Sequence, residues 1–128
     1  DDSNLIYPFA ATGFIFTKQA KVHAYDASAY DGIKLWLRGD AVVRVSIKTA
    51  ATASSAEGGT CTANCGNTHG LSVILTNTWQ QVSLPFATIQ QEAWSTPVAF
   101  EPSQLLGVTV MFPPGNAFNA ALDDVTFY

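Results

Sequence analysis

The sequence predicts an all-β protein, an antiparallel β-sandwich, and three observations carry that expectation. Short runs alternate apolar and polar residues with a period of two, the pattern of half-buried strands. Turn-forming residues bound nearly every run, and no segment longer than about eight residues keeps a 3.6-residue period. The 128 residues suffice for one domain, 1–128, with a core of useful size.

NLIYPF, GFIFT and KVHAY open the chain as three candidate strands. In GIKLWLRG, Ile33, Leu35 and Leu37 share one face, and Lys34, Trp36 and Arg38 share the other. VVRVSIKT sets Val43, Val45 and Ile47 against Arg44, Ser46 and Lys48. LSVILT and WQQVSLPF follow, the second ended by Pro85, and LLGVTVMF and ALDDVTFY complete the set. These runs are rich in β-branched and aromatic residues, which suit a pleated surface. PFATIQQEAW and EPSQLL each read as one helical turn, the second with Pro102 in its first turn. Residues 50–70 are small and polar, hence an exposed loop. Loops of roughly 20 residues in compact domains are usually functional or stapled.

Charge narrows the partners. Charged residues are only 12% of the chain, and the net charge is −4. All six Lys and Arg fall between Lys18 and Lys48, so nothing beyond Thr49 neutralises phosphate and nucleic acid is excluded as a partner. No run approaches the ~20 apolar residues of a membrane-spanning helix. A polar surface built mainly from Thr, Ser, Asn and Gln suits a secreted or cell-surface β-protein. Cys61 and Cys65 sit four apart in EGGTCTANCGNTHG, with His69 four further on. A metal reading lacks a fourth ligand, so a local disulfide is expected, shaping the loop more than stabilising the fold.

Catalytic constellations are sparse. There is no G-x-S-x-G, His23 and His69 have no acid partner in sequence, and paired carboxylates would need a cleft. The expectation is no enzyme. Trp36 and Trp79 lie in strand patterns, where packing is the default role. Trp94 differs: it stands among turn signals beside Gln90, Gln91 and Glu92. A flat apolar plate flanked by amides and an acid has the parts of a sugar site; the alternative is that Trp94 plugs the end of the sandwich beneath its loop. The adjacent acids Asp123 and Asp124 lie inside a strand pattern, so one should face solvent and the other the interior or its edge. A sheet-edge acid of this kind also raises the question of calcium, which takes six to eight oxygen ligands.

Taken in order, YDASAYDGIKLWLRG, VRVSIKTAAT, GGTC with a following Cys, LTNTWQQVSLPFATIQQEAW, FEPSQLLGVTVMF and FNAALDDVTFY resemble galactose-binding-like β-sandwich domains. They are most similar to family 11 carbohydrate-binding modules, over about Tyr25 to Tyr128. Trp94 is the stacking candidate for a sugar, with Gln91, Arg44 and Asn119 as weaker hydrogen-bonding candidates, and the resemblance implies a jelly-roll sandwich without catalytic activity that binds β-linked polysaccharide. It also implies a structural calcium held by Asp123 or Asp124. Departures from the family pattern are Asn119 and Ala121 before the acid pair, Ala93-Trp94-Ser95 in place of Gly-Trp-Gly, and a short stretch before Tyr25. A processed fragment or a shortened variant is therefore expected, with residues 1–24 as an N-terminal arm. The alternative function is a structural subunit of an extracellular fibre or surface assembly. Its β-strands would be exchanged between copies of the chain or completed by another chain.

Overall fold

The computed structural model describes residues 10–17, 22–114 and 117–128. Seven strands form among them: β1 Ala10–Ile15, β2 Gly32–Gly39, β3 Val42–Thr49, β4 His69–Ile74, β5 Gln80–Pro85, β6 Leu105–Phe112 and β7 Ala120–Phe127. They stack as two antiparallel sheets, one ordered β1-β6-β3-β4 and the other β5-β2-β7. Only the β3–β4 connection stays within a sheet, and every other one crosses between sheets, in the manner of a jelly roll. The stretch GFIFT lies largely in β1, so residues 10–15 of the expected arm are a paired strand of the larger sheet. NLIYPF lies outside the described residues. Residues 22–25 of KVHAY form no strand, and Tyr25 instead bridges Leu105.

Alternation in the sequence becomes two-sidedness in space. Ile33, Leu35 and Leu37 of β2 and Leu84 of β5 face Val43, Val45 and Ile47 of β3 and Val108 and Val110 of β6, all essentially inaccessible to water. Burying each such side chain contributes about 1.5–3 kcal/mol. Phe16, Tyr25 and Tyr30 gather on Phe127, with ring centroids 5.2, 5.3 and 5.0 Å from it, and extend this packing beside the core.

Strand β7 departs from simple alternation. Trp36 pairs with Asp123 and Lys34 with Thr126, so β7 carries one residue more than β2 over the same span. The extra residue is a β-bulge, in which Asp124 takes a left-handed φ of 47° and donates its N–H to Asp123 Oδ1 at 2.8 Å. Leu122 and Val125 can then both pack on the core although they are three apart. Both acids are exposed. Of the two places expected for the second acid, the interior or its edge, the interior is thereby ruled out, because the bulge resets the parity of the strand between them, and β7 is an edge strand.

The connection from β3 to β4 is closed by the Cys61–Cys65 disulfide, with a Cα–Cα separation of 5.7 Å. It includes a short 3-10 turn, Ser55–Glu57, closed by a Ser54–Glu57 capping box. The Glu57 carboxylate also pairs with Lys48. This loop is less exposed than its composition suggests: Thr52, Ala53, Asn67 and Thr68 are buried. Between β5 and β6 the chain forms a flap over residues 86–104. The expected helical turn in PFATIQQEAW is a tight turn in which the N–H groups of Thr88 and Ile89 both donate to Pro85 O. The turn in EPSQLL is a 3-10 helix, Pro102–Gln104.

Candidate functional site

The flap is held against the free edge of β4 by a dense set of hydrogen bonds. Gln90 and Gly70 exchange backbone bonds of 2.9 and 3.3 Å. The Arg44 guanidinium donates to Gln90 O at 2.8 Å and Thr68 O at 3.2 Å. Asn67 Nδ2 donates to Glu92 O and Ser95 Oγ, while Asn67 Oδ1 accepts from Glu92 N. Gln91 uses both ends of its amide, donating to Asn67 O at 2.6 Å and accepting from Val98 N at 2.7 Å. Beside this clasp, Trp94 is 56% exposed and its Nε1–H donates to Glu92 Oε2 at 3.3 Å. That same oxygen lies 3.9 Å from Arg44 Nε. Trp94, Gln91 and Arg44 are thus brought together on the flap. Asn119 is elsewhere, at the start of β7, where its N–H donates to Asp40 Oδ1.

His69 belongs to the same clasp. It is 5% exposed, packs edge-on against Phe100, and lies 3.0 Å through Nε2 from Val98 O. A carbonyl only accepts, so Nε2 carries the proton, and Nδ1 is left buried without a hydrogen-bond partner among the described residues. Burial holds its pKa below the ordinary value, and the nearby Arg44 charge acts the same way against the hydrogen bond to Val98.

The opposite sheet presents a different surface. Because Ile33, Leu35 and Leu37 point inward, Lys34, Trp36 and Arg38 point out. Trp36 is 37% exposed between Gln81 of β5 and Asp123 of β7. Trp79, 42% exposed, directly precedes β5, and the Arg38 guanidinium lies over its ring at 5.0 Å. At the other end of β2, Lys34 Nζ lies 6.0 Å from the centre of the Tyr128 ring. Tyr128 also covers Gly32: a Cβ at position 32 would lie 2.5 Å from the Tyr128 hydroxyl. The outer face of β2 therefore reads Tyr128, Lys34, Trp36, Arg38, Trp79, with aromatic rings and cations in alternation. From Gly32 to Arg38 it runs about 20 Å at roughly 3.3 Å per residue. A cleft of about 260 Å³, lined by Arg38, Gly39, Asn77, Asn119 and Ala121, continues it at the Trp79 end.

Sequence reasoning assigned Trp36 and Trp79 to packing. The signal that marks them was present, since Trp36 shares parity with two cations and opposes three aliphatic residues. Of the acid pair, Asp123 stands on this face opposite Trp36. One of its oxygens already accepts the Asp124 N–H, and no third Asp, Glu, His or Cys joins the two among the described residues. Calcium takes six to eight oxygens, from carboxylates, backbone carbonyls and waters, of which this pair would supply a part.

No family model matches the chain, and neither does any curated protein. Solved structures do. One is the family 11 carbohydrate-binding module of a cellulosomal cellulase of Clostridium thermocellum, 12% identical with a TM-score of 0.63. The alignment covers 93% of this chain and 66% of that one, so this chain spans just under two thirds of its length. Another is a family 11 module from Clostridium thermocellum in complex with a β-1,3-1,4-mixed-linked tetrasaccharide. It is 10% identical with a TM-score of 0.61, over 93% of this chain and 82% of that one. At such identities the likeness is one of fold: the chain is a β-sandwich of the kind formed by family 11 carbohydrate-binding modules.

Proposed function

We propose that the protein is a non-catalytic, secreted module that binds a β-linked polysaccharide along the outer face of the β5-β2-β7 sheet. The observation that carries the reading is the alternation of aromatic rings and cations along β2. An indole face offers a flat apolar plate to a sugar ring. Lys34, Arg38, Gln81 and Asp123 supply donors and acceptors at the spacing of alternate strand residues. Asn119 and Asn77 add amides at one end of the row. The fold supports this reading, because one structural neighbour holds a mixed-linkage β-glucan fragment. Trp94, Arg44 and Gln91 are placed second, since their polar groups are already engaged in holding the flap.

Calorimetry or affinity electrophoresis against mixed-linkage β-glucan and a panel of β-linked polysaccharides tests the proposal. Trp36→Ala and Trp79→Ala should each weaken binding at least about tenfold, equivalent to 1.4 kcal/mol, with an unchanged melting temperature. Trp94→Ala should leave it unchanged. Binding lost with Trp94 alone would move the ligand to the flap, and no binding to any glycan would remove the module reading.

One observation favours a second reading, a structural subunit that pairs strand to strand. The outer edge of β1 is unpaired among the described residues, and its sequence AATGFI holds no charge and no proline. Such an edge lacks the usual protections against pairing with another chain.

A further inference from the structure

A second cleft lies away from the β2 row, between the disulfide loop and residues 95–98 of the flap. Its volume is about 280 Å³. That is room for roughly nine waters at about 30 Å³ each, the scale of one sugar ring with its hydroxyls. The lining mixes hydroxyls and amides, chiefly Thr60, Thr62, Asn64, Gln91, Ser95 and Thr96, with apolar surface from Ala51, Ala63 and Val98, and no charged side chain contributes to it. Thr62, Asn64 and Thr96 make no side-chain hydrogen bond among the described residues, so their polar groups are open to a ligand.

Both walls are fixed in advance. On one side the Cys61–Cys65 bond closes the ring that carries Thr62 and Asn64. Backbone bonds from Thr60 to Ala50, Cys61 to Ala53 and Gly66 to Thr52 tie that ring to the body of the protein. Asn64 itself is held at a left-handed φ of 52°. On the other side the buried Asn67 amide grips Ser95 Oγ at 2.8 Å, and Gln91 Oε1 holds Val98 N at 2.7 Å. A cleft so prepared does not have to order its walls when a ligand enters.

We infer that this cleft is a separate site for one neutral sugar unit, a chain end or a side branch, held by hydrogen bonds rather than by ring stacking. It suits such a ligand because every polar group it offers is uncharged and can match hydroxyls, while Ala51, Ala63 and Val98 offer apolar surface to the C–H groups of the sugar. The inference stands independently of the sheet-face proposal. If both sites are used, one domain grips a branched or terminated glycan at two points, and the second contact gains from the first.

Amide NMR spectra recorded during titration with glucose, galactose, mannose and N-acetylglucosamine test the inference. They should be run on the protein as it is and on the Trp36→Ala, Trp79→Ala double variant. Expected are shifts at residues 60–66 and 91–98 with at least one sugar, in both proteins, with a Kd on the order of 1 mM. Asn64→Gly with Thr96→Val keeps the left-handed backbone and the side-chain shape, and should weaken that response about tenfold without lowering the melting temperature. Absence of shifts at these residues with all the sugars, or shifts that persist in the Asn64→Gly, Thr96→Val protein, would overturn the inference. Shifts confined to β2 would overturn it while supporting the sheet face; shifts confined to the cleft would support it and leave the sheet face to the polysaccharide titrations.

Discussion

Asp124 and His69 show how much a single residue decides here. The left-handed backbone at Asp124 lets two acids stay in water while Leu122 and Val125 both reach the core. Chelation with EDTA tests whether the acid pair helps to hold a calcium ion: a lowered melting temperature is the outcome expected of a structural ion, and an unchanged one would refute it. A calcium-dependent rise that Asp123→Asn removes would assign the ion to this pair. At His69, burial first and then the Arg44 charge oppose a second ring proton in the fold. The unfolded chain takes up that proton below about pH 6.5 and the folded chain does not, so stability falls as pH drops through that value. The fall ends once the pH is below the depressed folded pKa. Glu57 acts further down: its hydrogen bond to Lys48 lowers its pKa, so its contribution is present above the ordinary carboxylate range and lost as pH falls through the folded value. Melting temperature measured from pH 7 to pH 5 should therefore decline, and His69→Gln should flatten that decline; an unchanged slope would refute the assignment.

The elements that carry function are those whose outward faces or edges are specialised. On β2 the alternation that fills the core also sets Trp36 between Lys34 and Arg38 on the far face, so one strand serves both purposes. The flap has no long regular element of its own and depends on Asn67, which is 2% exposed and makes three hydrogen bonds to it. Asn67→Ala would leave Glu92 N and O without those partners, and should cost about 1–3 kcal/mol. Urea unfolding should show this as a lower midpoint with an unchanged slope. A midpoint within error of the parent protein would mean that the flap is held by the Gly70–Gln90 bridge and Arg44 alone. On the other side of the cleft, the disulfide shapes a loop that composition presented simply as polar and exposed, although Asn67 and Thr68 at its end are buried.

At the scale of the whole molecule, the two edges of the four-stranded sheet differ in character. The β4 edge is covered in part by Gln90, whereas β1 offers Ala11, Gly13 and Ile15 beside an unpaired edge among the described residues. Light scattering discriminates the two functional readings. A binding module should remain a monomer over a wide concentration range. Association that Ala11→Lys with Ile15→Lys abolishes would favour the structural subunit, since charged edge residues prevent strand pairing.

The sandwich itself was legible, because two-residue periodicity in GIKLWLRG and VVRVSIKT determines which side chains can be buried together. The sequence also determined the outward set of β2 by the same parity, the absence of basic residues beyond Lys48, and a cysteine spacing suited to a local bond. Only the tertiary structure decided that Trp79 and Tyr128, far apart in the chain, flank the same strand as Trp36. It alone brought Asn67 beneath the flap, and it alone made room for both Asp123 and Asp124 on the outside. Periodicity is a local property of the backbone and survives in the sequence. Strand order, bulges and side-chain clasps depend on partners distant along the chain, and those are chosen only when the sheets pack.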